Sequence, residues 1–393
     1  MEEAAEGELA EARFDAHDPQ STAARVARAR SPNRYLMMAR RLALIPMDDH
    51  DLVVERPQGL YCPAGDFYID PWQPVDRAVI THAHADHARR GHGHYLATPQ
   101  SEGVLRARLG DDIVLQTLAY GDALEHHGVR ISLHPAGHVL GSAQVRLQHG
   151  GRVWVVSGDY WISGHDGEHN ATCAPFEPLR CDCFISESTF GLAVYRWPRQ
   201  AEVFADIDAW WRGNAEAGRT SLLMGYSFGK AQRLLAGVDA SIGPIVVHGA
   251  VDAINAAYRA AGVALPATQH AEALKGKAEL NRALIVAPPS VKGSPWLKRF
   301  GNYRNAFASG WMQLRGARRR GAYDRGFVLS DHADWPGLQR AIRATGAERV
   351  IVTHGYEAVM VRWLREQGFD ARAFRTEYGD ERIEAAAESE VSS

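Results

Sequence analysis

The strongest constraint on this chain is the run Thr81-His82-Ala83-His84-Ala85-Asp86-His87, which directly follows the apolar stretch Ala78-Val79-Ile80. A lone histidine is more often structural, but four ligand-type side chains within six residues at a strand end point to metal. Imidazole nitrogen and carboxylate oxygen both suit zinc, and mixed sets of the two also take manganese. A strand that opens into a loop and helix can present alternate side chains to two neighbouring cations. Any fold must then bring partners to this strand exit, and the sequence offers three at similar places. His138 lies in the glycine-punctuated Pro135-Ala136-Gly137-His138-Val139-Leu140-Gly141. Asp159 ends Val155-Val156-Ser157-Gly158-Asp159, and His354 ends Val350-Ile351-Val352-Thr353-His354. Asp70, after Phe67-Tyr68-Ile69, is a carboxylate upstream of the cluster, expected to orient a ligand histidine or the loop.

At 393 residues and 46% hydrophobic content, the chain can bury a large core and has room for two domains. The segment Leu36 to Met47 is broken by Arg40 and Arg41, and no apolar run approaches the ~20 residues a membrane span needs. A cytoplasmic protein without a membrane segment is expected. The four cysteines, Cys62, Cys173, Cys181 and Cys183, contain no Cys-x-x-Cys pair and read as buried and reduced. A net charge of −3 argues against bulk electrostatic attraction to nucleic acid. The charge is nevertheless uneven: between Gly301 and Arg325, six arginines (Arg304, Arg315, Arg318, Arg319, Arg320, Arg325) face only Asp324. Such a stretch could meet phosphates or form a solvated face.

Residues 1–46 pass from seven acids in the first 20 residues to six arginines in the next 25, without sustained periodicity, and read as disordered. Met47 is a possible in-frame start. Residues 377–393 read as a polar tail. Between these ends short β-branched runs alternate with helical stretches: strands are expected at Ala78–Thr81, Gln144–Leu147, Val153–Val156, Cys183–Ser186, Ser221–Met224, Phe327–Leu329 and Val350–Val352. Helices are expected over 201–217, 229–237 and 357–367. The change of character near Arg199 marks an inserted α/β segment.

Asp70, the run His82 to His87, His138 and Asp159, in this order, resemble the motifs of the metallo-β-lactamase superfamily. That resemblance implies an α/β fold, an αββα sandwich, with two divalent metal ions. It places His82, His84 and His138 on one ion, Asp86, His87 and His354 on the other, and Asp159 between them. The superfamily also hydrolyses thioesters, lactones and β-lactams, so the metal centre alone leaves the substrate open. Glu187 in Phe184-Ile185-Ser186-Glu187, His332 in Ser330-Asp331-His332-Ala333-Asp334, and Thr353-His354-Gly355-Tyr356-Glu357 resemble the three added motifs of the β-CASP nucleases. This implies a sandwich domain over 47–195 and 325–376 and a cap domain over 196–324. Gly59-Leu60-Tyr61-Cys62-Pro63-Ala64-Gly65-Asp66, Ser309-Gly310-Trp311-Met312 and the segment Phe327 to Trp335 are most similar to the bacterial ligase-associated DNA exonucleases. A DNA repair role beside a DNA ligase, on a single strand or an end, would follow. His354 is usual in the RNA-acting branch members, which keeps an RNA-processing nuclease open. A non-catalytic nucleic-acid-binding subunit and a small-molecule hydrolase are further alternatives.

Under the nuclease reading, two cations about 3.5 to 4 Å apart lower the pKa of a shared water to roughly 7. His332 stands on the leaving-group side as general acid or charge stabiliser, and Glu187 orients it. Lys230 follows Tyr226-Ser227-Phe228-Gly229 at a helix start and is one of only five lysines beside 39 arginines. Lys230, Arg315, Arg318, Arg319 and Arg320 are the expected phosphate contacts. Trp311 and Trp335 are candidates for base stacking.

Overall fold

The computed structural model describes residues 51–273 and 276–374. The expectations for residues 1–46, for a start at Met47 and for the tail at 377–393 lie outside the described residues.

Six strands, β1 (Val54–Arg56), β2 (Gly59–Cys62), β3 (Phe67–Ile69), β4 (Arg77–Val79), β5 (His94–Ala97) and β6 (Leu115–Thr117), form the first sheet in chain order. A second begins with β7 (Ala123–His126), β8 (Val129–Pro135), β9 (Ala143–His149), β10 (Arg152–Val156) and β11 (Cys183–Ser188). The chain then leaves for a third sheet of β12 (Thr220–Met224), β13 (Ile245–Val247), β14 (Leu284–Ala287), β15 (Tyr303–Ala308) and β16 (Arg325–Phe327), ordered β13-β14-β12-β15-β16 and parallel throughout. It returns with β17 (Arg349–Gly355) and β18 (Asp370–Ala373), which complete the second sheet in the order β18-β17-β11-β10-β9-β8-β7. The strand expected at Phe327–Leu329 to reopen the first domain forms instead at Arg325–Phe327 and pairs with β15 as the edge of the inserted sheet. The return to the sandwich therefore comes after Phe327.

Helices are α1 (Pro99–Leu109), α2 (Gln200–Glu216), α3 (Lys230–Gly237), α4 (Gly249–Ala260), α5 (Lys277–Leu280), α6 (Arg315–Arg320), α7 (Trp335–Thr345) and α8 (Glu357–Glu366). The first two sheets meet through one apolar layer, with Leu60, Phe67, Ile69 and Val79 on one side and Ile131, Leu133, Val145, Leu147 and Ile185 on the other. Helices α7 and α8 bury Leu338, Ala341, Ile342, Met360 and Leu364 against the outer face of the second sheet, at Val155, Phe184, Val350 and Val352. Helix α1 covers the outer face of the first through Val104, Leu105 and Leu109. The result is a helix, sheet, sheet, helix stack, with each strand's two faces committed to different layers. Central strands β11, β12 and β14 are buried at every position, as strands covered on both faces must be.

This topology sends several chain segments to one edge. β3 leads to Asp70, β4 to Thr81–His87, the β8–β9 connection carries His138, and β10, β11 and β17 deliver Asp159, Glu187 and His354. Candidate functional groups collect at these carboxyl ends because parallel neighbours all exit on the same side, where loops diverge and leave a crevice.

Candidate metal centre

Three imidazoles converge at the sandwich edge. His82 Nε2 lies 3.0 Å from His84 Nδ1, which lies 3.1 Å from His138 Nε2. Each ring has its other nitrogen engaged. Thr81 Oγ1 donates its proton to Asp70 Oδ2, so His82 Nδ1, 3.1 Å away, must donate to Thr81 Oγ1. Carbonyls only accept: His84 Nε2 donates to Phe228 O at 3.3 Å, and His138 Nδ1 to Asp331 O at 2.7 Å. The three remaining nitrogens are bare and face one another, which is unfavourable unless a cation lies between them. Burial, then the neighbouring imidazoles, holds His82 well below the ordinary histidine range; burial and His138 take His84 down to about 3, and burial and His332 lower His138. Neutral imidazole is the form a metal binds.

The second locus adjoins the first. His87 Nδ1 donates to Asp70 Oδ2 at 2.7 Å, leaving Nε2 3.5 Å from Asp86 Oδ2 and 3.3 Å from Asp159 Oδ2. His87 Nε2 and Asp86 Oδ1 are buried and have no hydrogen-bond partner. Orphaned buried groups of this kind are costly, and a cation would satisfy them. Burial opposes charge on His87, but Asp159, Asp86 and Asp70 outweigh it and raise its pKa well above the usual range. Burial likewise opposes ionisation of Asp86 and Asp159, yet His87 beside them holds both low. Asp159 Oδ2 also lies 3.5 Å from His82 Nε2 and 3.8 Å from His138 Nε2, so one carboxylate faces both loci. The donor set therefore fits metal ions: His82, His84, His138 and Asp159 form one group, and Asp86, His87 and Asp159 another; Asp159 also groups with Glu187 and His332.

His354 is placed beside this centre, its ring stacked on His87 with centroids 5.3 Å apart, but it does not join either group. Asp70 takes no part in them and accepts from Thr81 N, Thr81 Oγ1 and His87 Nδ1 instead. Glu187 is buried; its Oε1 accepts from Tyr160 N at 2.7 Å and its Oε2 lies 3.0 Å from His332 Nδ1. His332 Nδ1 is also 3.9 Å from Asp159 Oδ2, which sets this pair against the centre. Burial works against protonation of His332, but Glu187 and Asp159 carry it up to about 9.

Lys230 departs from expectation. Expected at a phosphate, it is 2% exposed and its ammonium lies 2.9 Å from Asp331 Oδ2. The first turn of α3 faces inward because Gly229, at φ 85°, packs so closely on Val139 that a Cβ would come within 2.3 Å of its Cγ1. Arg315, Arg318, Arg319 and Arg320 are exposed on α6. That helix follows the turn of Trp311, whose ring lies 4.7 Å from Phe190, itself 6.0 Å from His332. Trp335 is buried against Trp363, so it cannot stack on a base. Sequence reasoning missed Thr81, Phe228, Arg233 and Asp331. Only Asp331, beside His332, carried a readable signal; Phe228 acts through its backbone, which no side-chain motif encodes.

No helix among the described residues is long and apolar enough to cross a membrane. No family model matches the chain. It is 30% identical over 322 residues to a protein named probable DNA ligase from Opitutus terrae, covering 81% of this chain and 31% of that one. It is 25% identical over 195 residues to the endoribonuclease YSH1 of Yarrowia lipolytica, covering 41% of this chain and 23% of that protein. The chain thus spans less than a third of the length of either relative. A crystal structure of a protein of unknown function from Enterococcus faecalis V583 matches with a TM-score of 0.51 at 12% identity, covering 77% of this chain and 80% of that one, a likeness of fold.

Proposed function

We propose that this chain is a metal-dependent DNA nuclease, an exonuclease of the β-CASP branch of the metallo-β-lactamase fold, acting in repair alongside a DNA ligase. The observation that carries the reading is the position of Asp159. Its Oδ2 lies within 3.9 Å of His82, His87, His138 and His332, so both candidate cation loci and the Glu187–His332 pair address one point. Hydrolysis of a phosphodiester needs a nucleophile and stabilisation of two oxygens in line, which such an arrangement can serve.

His82, His84, His138 and Asp159 would hold one divalent cation, and Asp86, His87 and Asp159 the other, with His354 at the margin of the second. When bound, the cations, zinc or manganese, supply Lewis acidity toward water and the phosphoryl oxygens. The protein's own groups supply the rest. Asp70 fixes His87 and Thr81, and Thr81 fixes His82. Glu187 accepts from His332 Nδ1, which leaves His332 Nε2 to exchange a proton with the departing oxygen. Arg315, Arg318, Arg319 and Arg320, exposed on the helix that follows Trp311, would neutralise phosphates of the bound strand.

The 322-residue match to a protein named as a DNA ligase favours DNA and a ligase partner. The matches to endoribonucleases favour the second reading, an RNA-processing nuclease. Matched single strands of DNA and RNA, labelled at either end and incubated in chelated buffer with zinc or manganese restored, separate the two. DNA shortened from one end supports the proposal; cleavage of RNA alone replaces it. His138→Ala and Asp86→Ala should abolish cleavage in either case, and full activity in both would remove the metal centre from the reaction.

A further inference from the structure

Two of the three histidines at the first locus are aimed by the inserted domain and by the segment that returns from it. His84 donates to the carbonyl of Phe228, in the loop that enters α3, and His138 to the carbonyl of Asp331, in the segment leaving the inserted sheet. An imidazole's hydrogen-bonded nitrogen decides which nitrogen is free, so these carbonyls select Nδ1 of His84 and Nε2 of His138 as the inward donors. The carbonyl-bearing segments are fastened together. The Asp331 carboxylate takes Lys230 Nζ at 2.9 Å on one oxygen and Arg233 Nη1 at 3.0 Å on the other, all three residues being at most 5% exposed. Arg233 Nη1 also donates to Ser330 O at 2.5 Å. The Phe228 loop is closed on itself by Gln232, whose Oε1 accepts from Gly229 N and whose Nε2 donates to Ser227 O. The same domain grips the His138 loop again, where Leu140 N donates to the Tyr258 hydroxyl at 3.2 Å.

We propose that Lys230, Asp331 and Arg233 are positioning residues forming a buried clasp, which makes cation binding at His82, His84 and His138 and seating of the inserted domain one coupled equilibrium. The inference rests on the metal-centre reading above. A lysine committed to a carboxylate this deep is costly to bury and more costly to leave unpaired, so the clasp has two states, closed with both carbonyls on the histidines or open with neither. A cation that binds only the closed arrangement must shift the equilibrium toward it.

Equilibrium dialysis of the full chain against zinc, followed by metal analysis, tests this with wild type, Lys230→Met, Lys230→Arg and His138→Ala. Wild type should bind two ions, and His138→Ala should lose one. Lys230→Met should bind at one locus roughly 10- to 100-fold more weakly, the usual effect of removing an outer partner, and Lys230→Arg should recover most of it. Hydrogen exchange on wild type, with and without zinc, requires no variant to fold. Zinc should slow exchange in 226–235 and 329–333 as well as in 82–87, and should fail to do so in 226–235 of His138→Ala. Two ions bound by wild type with no change in exchange at 226–235, or wild-type affinity in a folded Lys230→Met, overturns the coupling while leaving the metal centre intact. A wild type that binds no ion overturns both.

Discussion

Asp70 shows how much one side chain organises here. Its backbone sits in the left-handed region at φ 44°, which Asp tolerates better than most residues, and this turn sets the carboxylate against both Thr81 and His87. Asp70→Asn keeps one acceptor oxygen but presents an amide to donors on the other side. Zinc affinity measured by dialysis should fall about 10- to 100-fold with the circular dichroism spectrum unchanged; unchanged affinity would discount the role. The thiols make a second point. Burial pushes Cys62 up to about 11 and Cys181 and Cys173 up to about 12, and Cys183 is raised as well. In the native protein at pH 8 a disulfide reagent should therefore label these four slowly, with Cys173, the one not fully buried, reacting first. Because Cys62 is raised above its unfolded value of 9, the folded state keeps a proton the unfolded chain loses. Its stabilising contribution is full below pH 9 and disappears as pH climbs through about 11. Urea midpoints over that window should fall less steeply in Cys62→Ala.

At the scale of elements, α6 and α7 carry opposite duties. Helix α6 is six residues long, buries none of them and displays four arginines, so packing does not explain its charge. Replacing Arg315, Arg318, Arg319 and Arg320 together by Gln should flatten the salt dependence of single-strand affinity by about 0.7 in log–log slope for each phosphate that is no longer neutralised. Anisotropy titrations across sodium chloride concentrations measure this, and an unchanged slope would assign the helix to solvent. Helix α7 is capped by Asp334, whose Oδ1 accepts from Gly337 N while Oδ2 accepts from Trp197 N, both at 2.8 Å. Asp334→Ala should cost about 1 to 2 kcal/mol in urea unfolding. Helices α2, α3 and α8 were legible from spacing, since each carries an apolar stripe that stands out from its flanks. Helix α1 was not, because it buries a serine among arginines and charged neighbours. The strand expected at Phe327–Leu329 lies instead at Arg325–Phe327 for a related reason: the apolar run continues without a break from Phe327 into Val328 and Leu329, and periodicity does not say which sheet it joins.

For the whole molecule, the centre draws on both parts of the fold. His82, Asp159 and Glu187 come from the sandwich, while the Phe228 and Asp331 carbonyls come from the inserted domain and its return. Zinc at a hundredfold excess over its dissociation constant should raise unfolding stability by about 2.7 kcal/mol if it binds only the folded chain. Calorimetry with and without chelator tests this, and an unshifted transition would mean that no site is assembled on folding.

By itself the sequence singled out the run His82 to His87 as a cluster of ligand-type side chains, while His354, expected beside Asp86 and His87, joins neither of their donor groups in the fold. A strand followed by four ligand-type residues is a local arrangement, readable because each side chain's direction follows from its place along the strand and loop. Glu187 and His332, 145 residues apart, were matched by motif, but only the fold could bring them to 3.0 Å. The tertiary structure alone decided that Lys230 turns inward, that Trp335 is packed and that His84 and His138 are aimed by backbone carbonyls. Burial depends on what packs against a residue from distant segments, and a carbonyl is the same at every position in a sequence. Its direction exists only once the chain is folded.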